Sequence, residues 1–265
     1  MTDSRPLAGK CALVTGSVRG LGLAAARRLA ASGCHIVLNG FGADGSIAAT
    51  CGALEHEHGV RTLYSPADLR DPDQIARLVE AAGGEFGGVD VLVNNAVVRH
   101  AAPIERFAPA DWDEAIAVNL SAAFHTIRLT VPGMKRNRWG RIVNVSSIYG
   151  LRGAINRAGY VTTKTALIGL TRAVALETAA DGITCNAICP GTSATPVHEA
   201  GIDALMASEG LARPDAVRRA LQGKQPTGRF IGAAEVAALI AFLCGPDAAD
   251  IIGAALPIDG GWSVA

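Results

Sequence analysis

Short apolar runs alternate along the chain with longer segments that are rich in Ala and Leu. The apolar runs are nearly continuous in Val, Ile and Leu, which is typical of strands that are buried on both faces. They predict seven strands, at Cys11–Thr15, His35–Asn39, Arg61–Tyr64, Val89–Val93, Arg141–Ser146, Thr184–Ile188 and Ala255–Ile258. The longer segments have helical spacing and predict helices at Leu21–Ala31, Ser46–Glu57, Pro72–Ala82, Asp111–Val131, Gly159–Ala179 and Ala233–Leu243.

The regular alternation of strand and helix predicts an α/β fold. Because no internal repeat or low-complexity linker divides the chain, residues 1–265 are expected to form one doubly wound domain, a seven-stranded parallel sheet with helices on both faces. The segment 197–225 interrupts the alternation of strand and helix, because several Gly and Pro residues lie between its helical patches. We expect it to be a lid over a substrate crevice, although an ordinary surface insertion would have a similar composition.

Composition narrows the class of protein. Hydrophobic residues make up 49% of the 265 residues and charged residues 18%, which excludes a largely disordered chain. The 24 basic and 24 acidic side chains leave no net charge to attract nucleic acid or anionic lipid. No apolar run reaches the ~20 residues of a membrane span, and the polar start has no signal-peptide core. We expect a cytoplasmic protein that binds neither nucleic acid nor membrane.

The cysteines and histidines predict neither disulfides nor a metal. The six cysteines have no repeated spacing, which favours buried thiols in a reducing compartment. His56 and His58 lie two residues apart on a predicted helix and do not face each other. No metal site is therefore predicted.

Three glycines follow the first predicted strand, in the run Thr15-Gly16-Ser17-Val18-Arg19-Gly20-Leu21-Gly22, and a helix begins there. Glycine permits a tight turn and the close approach of a pyrophosphate, whose charge is attracted by the helix N-terminus. A dinucleotide site is indicated, although a simple bend would also use glycine.

The pattern T-G-x-x-x-G-x-G resembles the short-chain dehydrogenase/reductase family, whose members have a Rossmann fold. Asp68-Leu69 resembles the family's adenine-binding pair, and Asn94-Asn95-Ala96 resembles its N-N-A-G motif. Position 97 is Val instead of Gly, which puts the shape of that turn in doubt.

Tyr160 and Lys164 lie four residues apart on a predicted helix and therefore on one face. With Ser147 and Asn119 they match the Asn-Ser-Tyr-Lys tetrad of that family. Singly, Ser147 could be a strand-end cap and Asn119 an ordinary polar residue of a helix.

The chemistry of alcohol oxidation requires such residue types, because a base must remove the hydroxyl proton while hydride leaves carbon. Tyrosine has a pKa of ~10, and a nearby ammonium and a positive nicotinamide ring would favour its phenolate. Tyr160 is expected to be the base, Ser147 to orient the substrate oxygen, Lys164 also to reach the ribose, and Asn119 to position a water that carries the proton outward.

Pro190-Gly191-Thr192-Ser193-Ala194-Thr195 resembles the family's turn against the nicotinamide amide. The run Ile258-Asp259-Gly260-Gly261-Trp262 resembles its last strand and turn, which usually serve subunit contacts, so the resemblance implies a homotetramer. The cofactor-binding residues that the resemblance and the glycine turn imply are Gly16, Arg19, Gly20, Leu21, Gly22, Phe41, Asp68, Leu69, Asn95, Ala96, Tyr160, Lys164, Pro190, Gly191, Ser193 and Thr195.

The choice between NAD and NADP is read at the end of the second strand, where an acid would bind the ribose diol. The sequence Leu38-Asn39-Gly40-Phe41-Gly42 has no acid there, and Arg19 could meet a 2'-phosphate. The tract from Ile36 to Gly42 nevertheless resembles bacterial 3-hydroxybutyrate dehydrogenases, which use NAD. NAD is therefore expected, and NADP stays open.

That closer resemblance extends over nearly the whole chain but not over the substrate pocket. Those enzymes hold a small carboxylate with Gln, His, Lys, Trp and Gln, where this chain has Arg99, Tyr149, Arg157, Thr192 and Gly201. Two guanidinium groups favour an anionic substrate, unless they face solvent or another subunit. The expected substrate residues are Arg99, Ser147, Tyr149, Arg157, Tyr160 and Thr192.

The sequence thus predicts an NAD(H)-dependent oxidoreductase that interconverts a secondary alcohol and a ketone, with a small hydroxy acid other than 3-hydroxybutyrate as substrate. An NADPH-dependent 3-oxoacyl thioester reductase is the alternative enzyme. A nucleotide-binding protein without catalysis is the alternative of another class.

Overall fold

The computed structural model describes residues 5–265 and has the predicted α/β architecture. Its strands are β1 Cys11–Val14, β2 His35–Asn39, β3 Thr62–Ser65, β4 Val91–Asn94, β5 Gly140–Val145, β6 Ile183–Pro190 and β7 Ala255–Ile258. Its helices are α1 Gly20–Ala31, α2 Asp44–His58, α3 Pro72–Phe86, α4 Pro109–Ile116, α5 Ala122–Asn137, α6 Ala158–Thr178, α7 Pro196–Glu209, α8 Arg213–Leu221 and α9 Ala233–Cys244. All seven predicted strands are present, each within two residues of its predicted ends.

The strands form one parallel sheet in the order β3-β2-β1-β4-β5-β6-β7. The chain moves outward in one direction from β1 to β3 and then returns to the other side of β1 with β4. Ligands of such sheets bind beyond the carboxyl ends of the strands, where the order reverses. The fold therefore places the candidate site beside the ends of β1 and β4.

The core lies on both faces of the sheet, as the nearly continuous apolar strands predicted. On one face, Val14 of β1 packs in a cluster with Leu29 of α1 and Ile240 of α9. On the other, Leu13 packs in a cluster with Leu78 of α3. Successive residues of β1 thus pack on opposite faces of the sheet, because side chains alternate between the two sides of a strand.

All six cysteines are free thiols, and five of them are buried in this core. Burial raises the pKa of Cys185 and of Cys244 to about 12, so that these thiols remain protonated and behave as small apolar side chains.

The helix predicted over Asp111–Val131 is wrong in two respects. The chain forms α4, then a π-helical turn at Ala117–Ser121, and then α5, which continues through Pro132 to Asn137. Sequence periodicity does not distinguish one inserted residue in a turn from a regular helix, and π turns are typical of functional sites. Proline removes one N–H donor, but the surrounding contacts of α5 are sufficient to continue the helix.

The segment 197–225 is mostly helical and consists of nearly all of α7 followed by α8. Ile202 of α7 and Ala216 and Leu221 of α8 are buried. Helix α7 begins directly after Thr195, five residues beyond the end of β6. The segment therefore starts at the carboxyl edge of the sheet, beside the candidate site.

Among residues 5–265, no helix combines the length and the apolar character needed to cross a bilayer.

Replacing Leu29 with Ala is expected to lower the free energy of unfolding by about 2–5 kcal/mol, because this fully buried side chain fills the contact between α1 and α9. Urea unfolding followed by circular dichroism measures the change. Ile104→Ala is the control, since Ile104 is 74% exposed and its truncation should change stability by less than about 0.5 kcal/mol. Equal effects of the two substitutions would contradict this packing.

Candidate active site

The turn between β1 and α1 is shaped to receive a phosphate group. Gly16 and Gly20 have positive φ angles of 62° and 58°, which other residues rarely adopt. A Cβ at Gly22 would lie 2.5 Å from Asn95 Nδ2 and closer still to the Gly16 carbonyl oxygen, so only glycine fits there. The first turn of α1 contains no acidic residue that would neutralise the positive end of the helix. These features fit the pyrophosphate of a dinucleotide.

Thr15 and Asn95 join this turn to the end of β4. The Asn95 side chain donates to the carbonyl oxygens of Thr15 and Gly16, both at 2.9 Å. The backbone N–H groups of Asn95 and Ala96 donate to Thr15 Oγ1 at 2.9 and 3.1 Å. Because these contacts are intact, Val97 in place of the family's glycine leaves the bracing of the turn undisturbed.

Asn39 at the end of β2 is a functional residue that the sequence reasoning missed. It is buried, its side chain accepts the Gly16 N–H at 3.3 Å, and it donates to the Ala67 carbonyl at 2.9 Å. Its amide thus fixes the glycine turn and is not free to bind a ribose. Phe41 and Arg19, the other residues predicted at this end of the site, are exposed at its rim.

Asp68 and Leu69 follow β3, with Leu69 buried and Asp68 bound to Arg70. The distance between Asp68 Oδ2 and Arg70 Nη2 is 2.6 Å, and hydrogen bonds from Arg70 hold the pKa of the Asp68 carboxyl below its usual value. A carboxylate has about four acceptor positions, so this pairing leaves room for an adenine amino group.

The turn after β6 closes the opposite end of the site. Gly191 lies against Asp259, so that a Cβ there would come within 2.9 Å of the Asp259 Cα. Ser193 forms a bridge to Ile231, and Thr195 caps α7 by accepting the His198 N–H. With Pro190 as the last residue of β6, the predicted nicotinamide turn is a hydrogen-bonded segment at the carboxyl edge.

Tyr160 and Lys164 lie one turn apart on α6, as predicted, and both are buried. Lys164 Nζ lies 5.8 Å from the centroid of the Tyr160 ring and donates to the Val145 carbonyl oxygen at 2.7 Å. Ser147 lies two residues after β5, and its side chain lowers the pKa of Tyr160. Its hydroxyl also accepts the Tyr149 N–H at 3.2 Å and caps the short helical turn that follows.

The pKa of Tyr160 lies below its ordinary value of 10. Burial alone would raise this pKa, but the positive charges of Lys164 and Arg99 and hydrogen bonds from Ser147 and Arg99 outweigh it. The pKa of Lys164 is also lowered, first of all by its complete burial, and the Tyr160 phenolate opposes that shift. The site thus makes the Tyr160 phenol more acidic than a free tyrosine, so that the phenolate, the form that accepts a proton, forms at a lower pH.

Asn119 lies in the π-helical turn and its side chain is fully engaged. Its Oδ1 accepts the Val98 N–H at 2.8 Å, and its Nδ2 donates to the Val98 carbonyl at 3.1 Å and to Thr163 Oγ1 at 3.3 Å. These bonds tie the loop after β4 to α6. The side chain therefore has a structural task, and its expected role in holding a water remains a prediction.

Arg99 and Tyr149 are the predicted substrate residues that lie against Tyr160. The guanidinium carbon of Arg99 is 5.4 Å from the Tyr160 ring centroid, and its side chain is exposed towards the crevice mouth. The Tyr149 ring lies edge-on to the Tyr160 ring, with 6.3 Å between centroids. The sequence reasoning missed Trp262, which is buried 5.4 Å from the Tyr149 ring even though its turn was expected to serve subunit contacts.

Arg157 and Thr192 are further from this cluster. Arg157 is the N-cap residue of α6, one turn before Tyr160, and is half-buried. Thr192 belongs to the turn after β6, where its N–H donates to Gln225 and its carbonyl accepts the Ile231 N–H at 2.9 Å. Gly201 is exposed on α7 with open space around its Cα.

A further cavity lies outside the catalytic cluster. It has a volume of about 360 Å³ and lies between α3, α4 and α5, lined by residues that include Leu69, Trp112 and His125. Within the described part of the chain, no three His, Cys, Asp or Glu side chains are placed to hold a metal ion.

A phosphate-binding turn at the point where the strand order reverses, with an acidified tyrosine nearby, defines a dinucleotide-binding oxidoreductase site. A model of the short chain dehydrogenase family matches residues 10–204. The D-beta-hydroxybutyrate dehydrogenase of Cupriavidus necator is 45% identical over 257 residues, which cover 97% of this chain and 98% of that enzyme. The enzyme of the same description from Rhizobium meliloti is 43% identical over 254 residues, with coverage of 96% and 98%.

A solved structure agrees over the whole chain. L-sorbose reductase from Gluconobacter frateurii, complexed with NADPH and L-sorbose, superposes with a TM-score of 0.92 at 31% identity and covers 99% of both chains. This chain therefore belongs to the short-chain dehydrogenase family. It is an oxidoreductase that interconverts a secondary alcohol and a ketone with a nicotinamide dinucleotide.

Replacing Gly22 with Ala is expected to weaken binding of reduced nicotinamide dinucleotide about tenfold or more, because the new Cβ would displace the Gly16 carbonyl and the Asn95 side chain. Fluorescence titration with NADH and NADPH measures the affinity. Gly45→Ala in α2 is the matched control, since no atom lies within 4 Å of its added Cβ. Unchanged affinity in Gly22→Ala would show that the turn does not hold the pyrophosphate.

Proposed function

We propose that this chain is an NAD(H)-dependent dehydrogenase of a small hydroxy acid. The observation that carries the proposal is the position of Tyr160 beside two cations, Lys164 and Arg99, which together with Ser147 lower its pKa. One of these cations, Arg99, is exposed and can also bind a carboxylate. The similarity to two D-beta-hydroxybutyrate dehydrogenases supports a substrate of this class.

In the proposed reaction the substrate hydroxyl binds between Ser147 and Tyr160. Tyr160 takes the hydroxyl proton as a general base, while Ser147 donates a hydrogen bond to the same oxygen and fixes its orientation. A bound nicotinamide ring would supply the acceptor for the hydride that leaves the substrate carbon. Lys164 favours ionisation of the phenol through its positive charge and is expected to reach the ribose. In the direction of reduction, the same tyrosine returns the proton to the new alkoxide.

Arg99, Arg157, Tyr149 and Thr192 are proposed to shape the substrate pocket. Arg99 is placed to pair with a carboxylate, and Arg157 lies one helical turn before Tyr160 on the same element. Thr192 and Gly201 are small where the similar enzymes have Trp and Gln, which supports a substrate larger than 3-hydroxybutyrate. The segment 197–225 is proposed as the lid, since α7 begins at the carboxyl edge beside Thr195.

Three further features belong to the proposal. NAD is favoured by the likeness of the β2 end to NAD-using enzymes, whereas the exposed Arg19 and the lack of an acid there favour the alternative, an NADPH-dependent 3-oxoacyl thioester reductase.

A homotetramer is proposed from the family resemblance, and the exposed Phe124 and Leu176 are apolar surface that further copies would cover. The six free thiols support a cytoplasmic location.

Tyr160→Phe is expected to lower kcat by about a thousandfold or more, because no other group at the substrate oxygen can accept the proton. NADH affinity, measured by fluorescence titration, should stay within about twofold. In the unaltered enzyme, kcat/KM for oxidation should fall as the pH drops through the pKa of Tyr160, since the protonated phenol is not a base. Turnover that survives the substitution would contradict the assignment of the base.

The substrate class is tested with pairs of 3- and 2-hydroxy acids and their neutral amides, each with NAD and with NADP. We expect the acids to have at least a tenfold higher kcat/KM, because the Arg99 guanidinium has no charged partner when a neutral amide replaces the carboxylate. Reduced-nicotinamide absorbance follows the reaction. A preference for the amides would contradict the carboxylate site, and turnover confined to NADPH and 3-oxoacyl thioesters would establish the alternative.

A further inference from the structure

Two cations, not one, lie beside the proposed catalytic tyrosine. The Arg99 guanidinium carbon is 5.4 Å from the Tyr160 ring centroid and Lys164 Nζ is 5.8 Å from it. The Lys164 ammonium also donates to the Val145 carbonyl at 2.7 Å. The positive charge of Arg99 lowers the pKa of Tyr160, as does that of Lys164, whose effect is the larger. Measured to the ring centroid, the Arg99 guanidinium thus lies as near to Tyr160 as the Lys164 ammonium does.

The backbone of Arg99 is held on both sides. The preceding residue, Val98, is bound through its N–H and its carbonyl to the buried side chain of Asn119. The following residue, His100, is bound through Nε2 to Glu114 Oε2 at 2.8 Å and lies 3.5 Å from Asp111 Oδ1. An exposed arginine on an unbraced loop would sample many positions. Here the two anchors keep the start of its side chain in one place.

Among residues 5–265, the groups that act on the charge of Tyr160 include no acid that would oppose Arg99. On α6 the charged neighbour is Lys164, from the loop after β4 it is Arg99, and the segment after β5 contributes the Ser147 hydroxyl and the Tyr149 ring. Cys189 at the end of β6 faces Lys164, and burial raises the pKa of its thiol. Asp111 and Glu114, the acids beside the Arg99 loop, are paired with His100.

We propose that Arg99 is a second catalytic cation, which together with Lys164 holds Tyr160 as the phenolate that accepts the substrate proton. This inference rests on the proposed function and adds to the carboxylate binding proposed for the same residue. The two tasks are coupled, because a carboxylate bound to Arg99 partly neutralises its charge. An anionic substrate therefore requires a higher pH for half-maximal oxidation than a neutral alcohol of the same shape.

The test is a spectroscopic titration of Tyr160 that requires no turnover. The chain has three tyrosines, so the ultraviolet difference between the protein and its Tyr160→Phe variant reports the ionisation of Tyr160. In an Arg99→Gln background, the midpoint should move to higher pH, and kcat/KM for neutral alcohols at pH 7 should fall roughly tenfold, the effect usual for loss of one adjacent opposite charge. Arg99→Lys should restore the midpoint in large part.

Arg106→Gln is the matched control, because it removes an exposed arginine from the same loop region without a contact to Tyr160. Its midpoint should stay at that of the unaltered protein. Thermal unfolding and NADH affinity verify that each variant is folded. If Arg99 only binds substrate, Arg99→Gln will raise KM for hydroxy acids and leave the midpoint unchanged, which would overturn the proposal.

A failure of the Arg99 proposal and a failure of the proposed dehydrogenase function give different experimental results. An unmoved midpoint in Arg99→Gln, with Tyr160→Phe inactive, removes the second cation and retains the dehydrogenase. Full turnover in Tyr160→Phe removes the dehydrogenase mechanism, and with it the catalytic task of Arg99, whatever the titration shows.

Discussion

The proposed chemistry of this site depends on ionisation of the Tyr160 phenol, which the burial of its side chain opposes. Taking a tyrosinate out of water is unfavourable, and burial is the largest single influence on the pKa of Tyr160. Two cations on different chain segments reverse that effect. Lys164 comes from the same helix, and Arg99 comes from the loop after β4. The sheet order matters because it places the ends of β4, β5 and β6 around one ring.

Most of the fold follows from local signals in the sequence. Continuous Val, Ile and Leu runs identify buried parallel strands, and the glycine spacing identifies the turn after β1, because both express backbone requirements that few residue types satisfy. The spacing of Tyr160 and Lys164 on one face of a helix is equally local. The resemblance to a known family added Ser147 and Asn119, whose spacing from Tyr160 carries no local signal. In the folded chain Ser147 acts on Tyr160, and Asn119 bonds to Thr163 on the same helix.

The remaining features depend on long-range contacts, which no spacing reveals. Asn39 and Thr15 hold the glycine turn through bonds to residues 23 to 81 positions away. The π-helical turn at Asn119 has the same apolar periodicity as a regular helix. One signal in the sequence could have pointed to Asn39. It is an asparagine at the end of a buried strand, where a serine or glycine would be ordinary. The side-chain direction of Arg99 likewise follows from its anchored neighbours.

The edge-to-face series from Trp262 through Tyr149 to Tyr160 gives the molecule a built-in optical reporter. An indole that is buried against the wall of the crevice senses a change of packing or polarity at the second ring of the series. Binding events in the crevice should therefore alter the intrinsic emission of this indole without an added label. The chain's two other tryptophans lie elsewhere, Trp112 on α4 and Trp139 in the turn between α5 and β5, so replacing them with phenylalanine would isolate that signal.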